Sequence, residues 1–218
     1  MIQLPLNNFL DKSFDVIYNK AVNGGIPGMS SAYQLAQDYK VKCSDLNKQI
    51  SSLINHQCGK SALAGFVTNL GGAVTLPIAI PSNILWVLYL QLRMIAAIAI
   101  LCGYKPNNDK VQTIALCCLV GDSLSSRLKK AGIDISKKIG CNMINKISSK
   151  VLKKINKAIG FKLISKYGGK ATINLSKFVP LAGGVIAGGI DAFSTKSIGS
   201  FAKKTFISQE TENFVYAA

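Results

Sequence analysis

Acidic residues are scarce in this chain, and histidine is scarcer still. Its 218 residues include 10 Asp and Glu, one His, and 26 Lys and Arg, which gives a net charge of +16. The chain therefore has few residues for catalysis or metal binding that depends on paired carboxylates or on several imidazoles. No GxGxxG, GxSxG, HExxH or CxxC pattern occurs, which removes the common nucleotide, serine-hydrolase and zinc motifs. We predict no catalytic residues, no metal and no cofactor, and favour a non-enzymatic protein.

Metal-ligand spacing is absent among the six cysteines. His56 and Cys58 are neighbouring potential zinc ligands, but a zinc site needs about four ligands, and no second histidine exists. The first fifteen residues lack the basic and apolar regions of a secretion signal. We therefore expect free thiols in a reducing cytoplasm. Cys102, Cys117 and Cys118 lie in apolar runs and are expected in the core.

Charge is distributed unevenly along the chain. Residues 127–177 hold 14 basic side chains against the single acid Asp134, whereas residues 178–218 sum to zero. Between Ser61 and Tyr104 the only charged residue is Arg93. A basic block of this kind usually meets an anionic membrane surface, nucleic acid or an acidic partner.

Apolar residues recur with helical spacing, and no alternating strand pattern of useful length is present. The fold class predicted is therefore all-α, a multi-helix bundle with a central apolar helical hairpin. In the first half of the chain, helices are expected within 1–24, from a cap at Ser30 or Ser31 to Tyr39, and from a cap at Ser44 onward; a further helix ends before Pro77. The next two run from Ser82 to Cys102, with a stop at Gly103, and from a cap at Asn107–Asp109 to Ser126. The last two run from Cys141 to Tyr167 and from Phe178 to Phe206.

The hairpin would pair residues 62–80 with residues 84–102, with Pro77 and Pro81 at its tip. Its second arm is long enough to cross about 30 Å of hydrocarbon. However, Arg93 at mid-helix costs about 2.5–3.5 kcal/mol on insertion scales, which nearly cancels the apolar gain. Two interpretations therefore stand: the buried centre of a bundle, or a hairpin inserted into a membrane.

Arg93 needs a polar partner under either interpretation, because an unpaired buried charge is very costly. We expect a carboxylate or a carbonyl. Asp122 and Asp191 are the acids in comparably apolar surroundings, and we favour Asp191. The leading interpretation is a structural clasp between helices, and the alternative is a ligand site formed by Gln91, Arg93, Asp122 and Asp191.

The stretch MINKISSKVLKKINKAI separates lysines from isoleucines on opposite faces of a helix. Such a basic, acid-poor amphipathic helix is typical of anionic lipid surfaces. The alternative is a solvated lysine face whose isoleucines pack on the core. Nucleic acid is less favoured, since only Phe161 and Tyr167 could stack on bases within the basic block. The predicted lipid-contacting residues are Lys146, Lys150, Lys153, Lys154 and Lys157.

Small residues mark the last apolar stretch. Gly184 and Gly188 are four residues apart. This spacing permits close approach of helix backbones, in bilayers or in tight soluble packing.

The order of several motifs resembles the EcsC protein family. They cover most of the chain, and none is specific alone. They are GIPG (Gly25–Gly28), Leu35-Ala-x-x-Tyr39, GFVTNLGG (Gly65–Gly72), LPIAIPSN (Leu76–Asn83), QLRMIAAIAILCGY (Gln91–Tyr104), KINKAIGFKLISKYGGK (Lys154–Lys170) and the stretch Val179–Phe206. The resemblance implies a helical, hydrophobic domain at 25–207. The residue pattern itself predicts a helix before this domain, at 1–24, and a loosely attached tail after it, at 208–218. The family's namesake is encoded beside components of an ABC transporter linked to protein secretion, and the resemblance supplies no catalytic residues.

Taken together, these features predict a membrane-associated protein at the cytoplasmic face of a membrane, either peripheral or with an inserted hairpin. It would bind anionic lipid, and the resemblance adds assistance or regulation of a transporter or secretion complex as a partner. One alternative is a lipid-acting enzyme or hydrophobic-ligand binder with a pocket around Arg93. Another is a membrane-perturbing effector. Oligomeric state is left open.

Overall fold

The computed structural model describes residues 4–67, 82–120, 147–153, 155–156, 158–159 and 180–207. Within these ranges the chain is helical and contains no strand, which confirms the all-α prediction. The helices are α1 (Leu4–Asn23), α2 (Ala32–Lys40), α3 (Leu46–Val67), α4 (Ser82–Leu101), α5 (Asp109–Val120) and α6 (Pro180–Phe206). The described residues of 147–159, helical from residue 149 onward, are called the lysine segment below.

Several predicted features fall outside the described residues. These are the hairpin tip at 68–81, the end of the helix at Ser126, Asp122, Lys146, Lys154, Lys157, most of the predicted helix from Cys141 to Tyr167, and the tail at 208–218.

Helix α4 is the centre of the bundle. Every residue from Leu88 to Ala99 is at most 2 % exposed, and α1, α2, α3, α5 and α6 all pack against it. Five neighbours on one helix explain why α4 is apolar all round, a pattern typical of a buried helix. In this structure α4 is therefore the buried centre of a bundle, which is one of the two interpretations of the sequence.

Among the helices that the structure describes, none has the length and apolarity to cross a bilayer.

Helix α2 begins where the sequence predicts, with Ser31 as the residue that caps it. The Gln34 amide donates to Ser31 Oγ at 3.1 Å, and the Ser31 amide donates to Gln34 Oε1 at 2.9 Å. This reciprocal pair is a capping box, which satisfies two amides that the first turn leaves free. Upstream, Gly24 has a φ of +89°, which a glycine adopts without strain, and α1 ends there.

The cap of α3 differs from the prediction. Asp45, rather than Ser44, accepts a bond from the Lys48 amide at 3.1 Å. Asp and Ser are about equally good caps, so the sequence alone does not decide which of these two adjacent residues caps α3. The helix then runs without interruption to Val67, so the polar residues around His56 and the start of the apolar run share one helix.

Helix α4 ends in a Schellman motif, as its glycine suggested. Gly103 has a φ of +81°, and the Tyr104 amide donates to Ala99 O at 2.9 Å. Only glycine adopts this left-handed conformation freely. Asn108 then caps α5 by accepting a bond from the Lys110 amide at 2.9 Å, within the predicted Asn107–Asp109 group.

Helix α6 lies antiparallel along α3, and both contact α4. Thr195 Oγ1 donates to Ser61 Oγ at 3.0 Å near one end, and Lys203 Nζ donates to Ser51 Oγ at 2.8 Å near the other. The close approach occurs at Gly199, where an added Cβ would lie 2.8 Å from Ile54 Cγ1.

The glycines predicted for close packing lie earlier in α6. Gly184 and Gly188 are in the helix, but their surroundings fall outside what the structure describes. Gly189, beside them, faces open space. Tight packing of α6 is therefore observed at Gly199, which the sequence analysis did not single out.

Helix α1 shares its core with the rest of the bundle. Phe14, Ile17 and Ala21 are buried in the common cluster. The hydroxyl of buried Tyr18 donates to Pro106 O at 2.9 Å, which joins α1 to the turn before α5.

Candidate functional site

Arg93 is fully enclosed, with 1 % of its surface exposed, at the middle of α4. Its Nη1 donates to the Ser30 carbonyl oxygen at 3.0 Å and approaches Ser30 Oγ at 3.5 Å. Its Nη2 donates to Gln57 Oε1 of α3 at 3.2 Å. The expected carbonyl partner is thus present, and the partners that the structure describes are all neutral.

Four buried polar atoms have no hydrogen-bond partner within the described structure. They are Arg93 Nε, Gln57 Nε2, Tyr89 Oη and Gln91 Oε1. Unpaired buried donors are rare in native proteins, because each costs about 1–3 kcal/mol of desolvation. Two of these residues, Arg93 and Gln57, bond to each other, and the Tyr89 ring lies 5.9 Å from the Arg93 guanidinium. The free atoms of these three residues therefore gather around one charge.

The buried surroundings of Arg93 disfavour its positive charge. Burial lowers the pKa of the guanidinium, and the neighbouring phenols of Tyr89 and Tyr39 act against that shift. Burial in turn raises the pKa of Tyr89, with the cation of Arg93 lowering it. Arginine stays protonated throughout the physiological range, so this core holds a permanent positive charge that neutral groups solvate.

Asp191 is not a partner of Arg93, which corrects the favoured pairing. Helix α6 meets α4 on the side of Gln91, whose Nε2 donates to Thr195 Oγ1 at 3.1 Å and lies 3.4 Å from Ser194 Oγ. Two residues along a helix turn the side chain by about 200°. Arg93 therefore points away from α6, towards α2 and α3. Burial raises the pKa of the half-buried Asp191 carboxyl, and the other proposed acid, Asp122, lies outside the described residues.

His56 lies on α3, one residue before Gln57. Its Nδ1 forms a hydrogen bond of 2.7 Å with Tyr39 Oη, and the two rings meet edge to face. Within the described residues, no three His, Cys, Asp or Glu side chains gather closely enough to hold a metal ion. The histidine thus joins α3 to α2 beside the Arg93 partners.

The lysine segment presents its charged side to solvent and its apolar side to the core. Lys150 and Lys153 are exposed, whereas Ile155 and Ile159 are each 2 % exposed. Asn156 accepts a bond from Thr113 Oγ1 of α5 at 2.9 Å. These two isoleucines therefore pack on the protein core, as the alternative of a solvated lysine face predicts.

Polar side chains line two of the cavities that border the described helices. One, of about 430 Å³, lies between α1, α5 and the lysine segment, and is lined by carboxylate and amide side chains together with apolar ones. The other, of about 400 Å³, lies between α3 and α6 and is lined by Lys196, Lys203 and Lys204. We call the second one the lysine cavity. The sequence analysis did not identify these lysines, although their spacing on one helix face was visible.

An apolar pair is exposed elsewhere on α6. Ile190 is 62 % and Phe193 is 78 % exposed. They are three residues apart and therefore neighbours on the helix surface.

The EcsC protein family model matches residues 7–207 of the chain. The chain belongs to the EcsC family. The match begins inside α1 and ends just after α6, so it spans all of the contacts described above. A search of curated proteins and a search of solved structures each returned no match. EcsC membership therefore confirms the resemblance and leaves the chemistry of this member to be argued from its own residues.

Proposed function

We propose that this EcsC protein is a non-enzymatic, peripheral protein of anionic membrane surfaces, which it contacts through the lysine segment. The observation that carries the proposal is the orientation of that segment. Lys150 and Lys153 face solvent, while Ile155 and Ile159 are held in the core. The docked isoleucines fix the direction in which the lysines point.

Charge supplies the attraction. Residues 127–177 hold 14 basic side chains against one acid, and no described carboxylate forms an ion pair with Lys150 or Lys153. Each lysine close to an anionic lipid surface contributes about 1 kcal/mol. Lys150 and Lys153 together therefore contribute about 2 kcal/mol to reversible attachment.

The packing of the isoleucines defines the mode of attachment. An amphipathic helix lying in a membrane buries its apolar face among acyl chains, but here that face is occupied by the protein core. Attachment would then depend on charge and weaken as salt screens it. A position at the cytoplasmic face, next to a transport or secretion complex, belongs to the same proposal and is supported only by the family resemblance.

Vesicle sedimentation tests the proposal. The protein is mixed with vesicles of phosphatidylglycerol and phosphatidylcholine, or of phosphatidylcholine alone. We expect binding to the anionic vesicles only, and loss of binding in high salt. Lys150→Gln with Lys153→Gln should weaken binding about thirtyfold, since two lysines contribute about 2 kcal/mol. The matched control is Lys40→Gln with Lys60→Gln, an exposed pair with the same change in net charge.

Two results would count against the proposal. If the control pair weakens binding as much as the lysine-segment pair, net charge alone is responsible. Attachment that survives high salt would instead indicate an apolar contact, for which exposed Ile190 and Phe193 are the candidates.

A second candidate function is supported by the unpaired atoms around Arg93. Arg93 Nε, Gln57 Nε2 and Tyr89 Oη are buried donors without partners, and such groups suit the anionic head of a mainly apolar ligand. Native mass spectrometry of the purified protein would detect a bound lipid or fatty acid, and Arg93→Lys should reduce its occupancy. A spectrum with only the mass of the chain would rule against this candidate.

A further inference from the structure

Three lysines of α6 line a single cavity against α3. Lys196, Lys203 and Lys204 surround about 400 Å³ of space, together with Asn47 and Ser51 from the first turns of α3. The other lining residues are a serine and two isoleucines. No acidic residue lines this cavity, so its walls carry positive charge with no built-in counter-ion.

Helix geometry brings the lysines together. Positions 196, 200, 203 and 204 are spaced i, i+4, i+7 and i+8, which places them on one face of a helix. Gly199 holds this part of α6 close to Ile54 of α3 and Met94 of α4. The lysines therefore project from a fixed backbone.

Within the described part of the chain, the ammonium groups of Lys203 and Lys196 are bonded to neutral oxygens. Lys203 Nζ donates to Ser51 Oγ at 2.8 Å and to the Asn47 carbonyl oxygen at 3.2 Å. Lys196 Nζ donates to Asn55 Oδ1. No described carboxylate forms an ion pair with any of the three lysines. Each ammonium offers three donors, so donors remain for an additional ligand.

The helix dipole explains the positions of only two of the three lysines. Lys203 and Lys204 are in the last turn of α6, where cations interact favourably with the helix dipole. Lys196 lies about two turns before them, beyond the range of that effect. The dipole also does not account for a cavity with three ammonium groups and no acid, in which the like charges repel one another.

We infer that the lysine cavity binds a phosphoryl group. A phosphate monoester brings up to two negative charges and three strong acceptor oxygens, which matches the ammonium donors of the lysines. Lysine is a common phosphate ligand and acts as a point charge. The volume falls within the range of small-molecule sites. The phosphoryl group belongs either to a soluble phosphorylated compound or to a lipid head group, since both present the same chemistry.

This inference does not depend on the proposed membrane function. The lysine cavity is formed by α3 and α6, whereas the membrane proposal concerns Lys150 and Lys153. Substituting Lys150 and Lys153 should leave phosphate binding unchanged. The two ideas can therefore fail separately.

The first test uses inorganic pyrophosphate as the probe, with calorimetry on the full-length protein at low salt. We expect saturable binding that Lys203→Gln with Lys204→Gln weakens about a hundredfold, since each charged hydrogen bond contributes about tenfold. Lys196→Gln alone should weaken it about tenfold. Lys40→Gln with Lys60→Gln is the matched control and should bind like the parent. Because Lys196 and Lys204 are exposed, Lys196→Gln with Lys204→Gln replaces the first pair if loss of the Lys203 bonds unfolds the protein.

The second test distinguishes the two sources with vesicles of phosphatidic acid in phosphatidylcholine. Pyrophosphate binding that the cavity variants abolish supports a soluble phosphorylated ligand. Vesicle binding that only the cavity variants abolish, without pyrophosphate binding, supports a lipid head group. The inference is overturned if the parent binds neither probe, or if cavity and control variants lose equal affinity.

Discussion

Arg93 and Lys203 use the same kinds of partner in very different surroundings. Arg93 donates to a main-chain carbonyl, that of Ser30, and to Gln57 Oε1. Lys203 donates to the Asn47 carbonyl and to Ser51 Oγ. Arg93 is 1 % exposed on the central helix, whereas Lys203 is half-buried at the wall of a cavity.

The difference assigns the two charges different tasks. A fully buried cation must be solvated by the protein, because water cannot reach it, so its partners become part of the fold. A cation at a cavity wall keeps water as an alternative partner and can exchange it for an anion. We therefore expect α4 to carry a charge that determines stability, and α6 to carry charges available to a ligand.

The largest effect is expected for Arg93→Ala. It leaves the Ser30 carbonyl and Gln57 Oε1 without their donor and opens a cavity in the core. We expect the free energy of unfolding to fall by about 3–5 kcal/mol, measured by urea denaturation. Arg93→Lys should fall between this variant and the parent, because one ammonium cannot reproduce the planar, forked guanidinium. A stable Arg93→Ala protein would contradict the structural task assigned to this charge.

A smaller loss is expected for Gly199→Ala, which tests the packing that places the cavity lysines. Its Cβ would lie 2.8 Å from Ile54 Cγ1 and 3.1 Å from Met94 Cε, and overpacking of this kind costs about 1–3 kcal/mol. Gly189→Ala is the matched control on the same helix, with open space around its Cβ. It should be neutral, or stabilising by about 0.5–1 kcal/mol, through helix propensity. Equal effects at both sites would mean that α6 does not pack closely at Gly199.

Two tyrosine hydroxyls sharpen the comparison at the level of single hydrogen bonds. Tyr18→Phe removes a bond to the Pro106 carbonyl and should destabilise the protein by about 1 kcal/mol. Tyr89→Phe removes a buried hydroxyl that interacts with the Arg93 guanidinium but makes no well-formed hydrogen bond, so its cost should be smaller than that of Tyr18→Phe. Thermal unfolding of both variants checks the difference. Greater destabilisation by Tyr89→Phe would show that its hydroxyl is bonded.

A small effect is also expected for Lys203→Ala. Its two bonds are to neutral oxygens beside solvent, and the loss should be under about 1 kcal/mol. Urea denaturation of this variant should therefore give nearly the parent midpoint. A loss as large as that of Arg93→Ala would remove the distinction between the two charges.

Most of the helical framework could be predicted from the sequence because its boundaries are marked by local chemistry. Ser31 and Gln34 encode a capping box, and Gly103 encodes a left-handed helix end. The burial of Arg93 followed from its apolar neighbours. Its partners did not, because a serine carbonyl and a glutamine amide have no sequence signature, whereas Asp191 looked like the obvious counter-ion.

The lysine cavity was missed for a different reason. Residues 178–218 sum to zero charge because Asp191, Glu210 and Glu212 offset the three lysines of that region. A regional total hides how the charges are arranged on a helix. The other wall of the cavity comes from α3, which is about 150 residues away in sequence. The spacing of Lys196, Lys203 and Lys204 would have indicated a basic face, but only tertiary structure supplies the facing serine and asparagine.

The pairing of α3 with α6 also sets the order in which the chain can finish folding during its synthesis. Thr195 and Ser61 bond across 134 residues of sequence. A ribosome adding about 5–20 residues per second needs on the order of ten seconds to deliver the later partner after the earlier one. Over that interval the sides of α3 and α4 that α6 will cover have left the ribosome without it. Until α6 emerges, those apolar sides are exposed on the nascent chain, and exposed apolar surface favours aggregation.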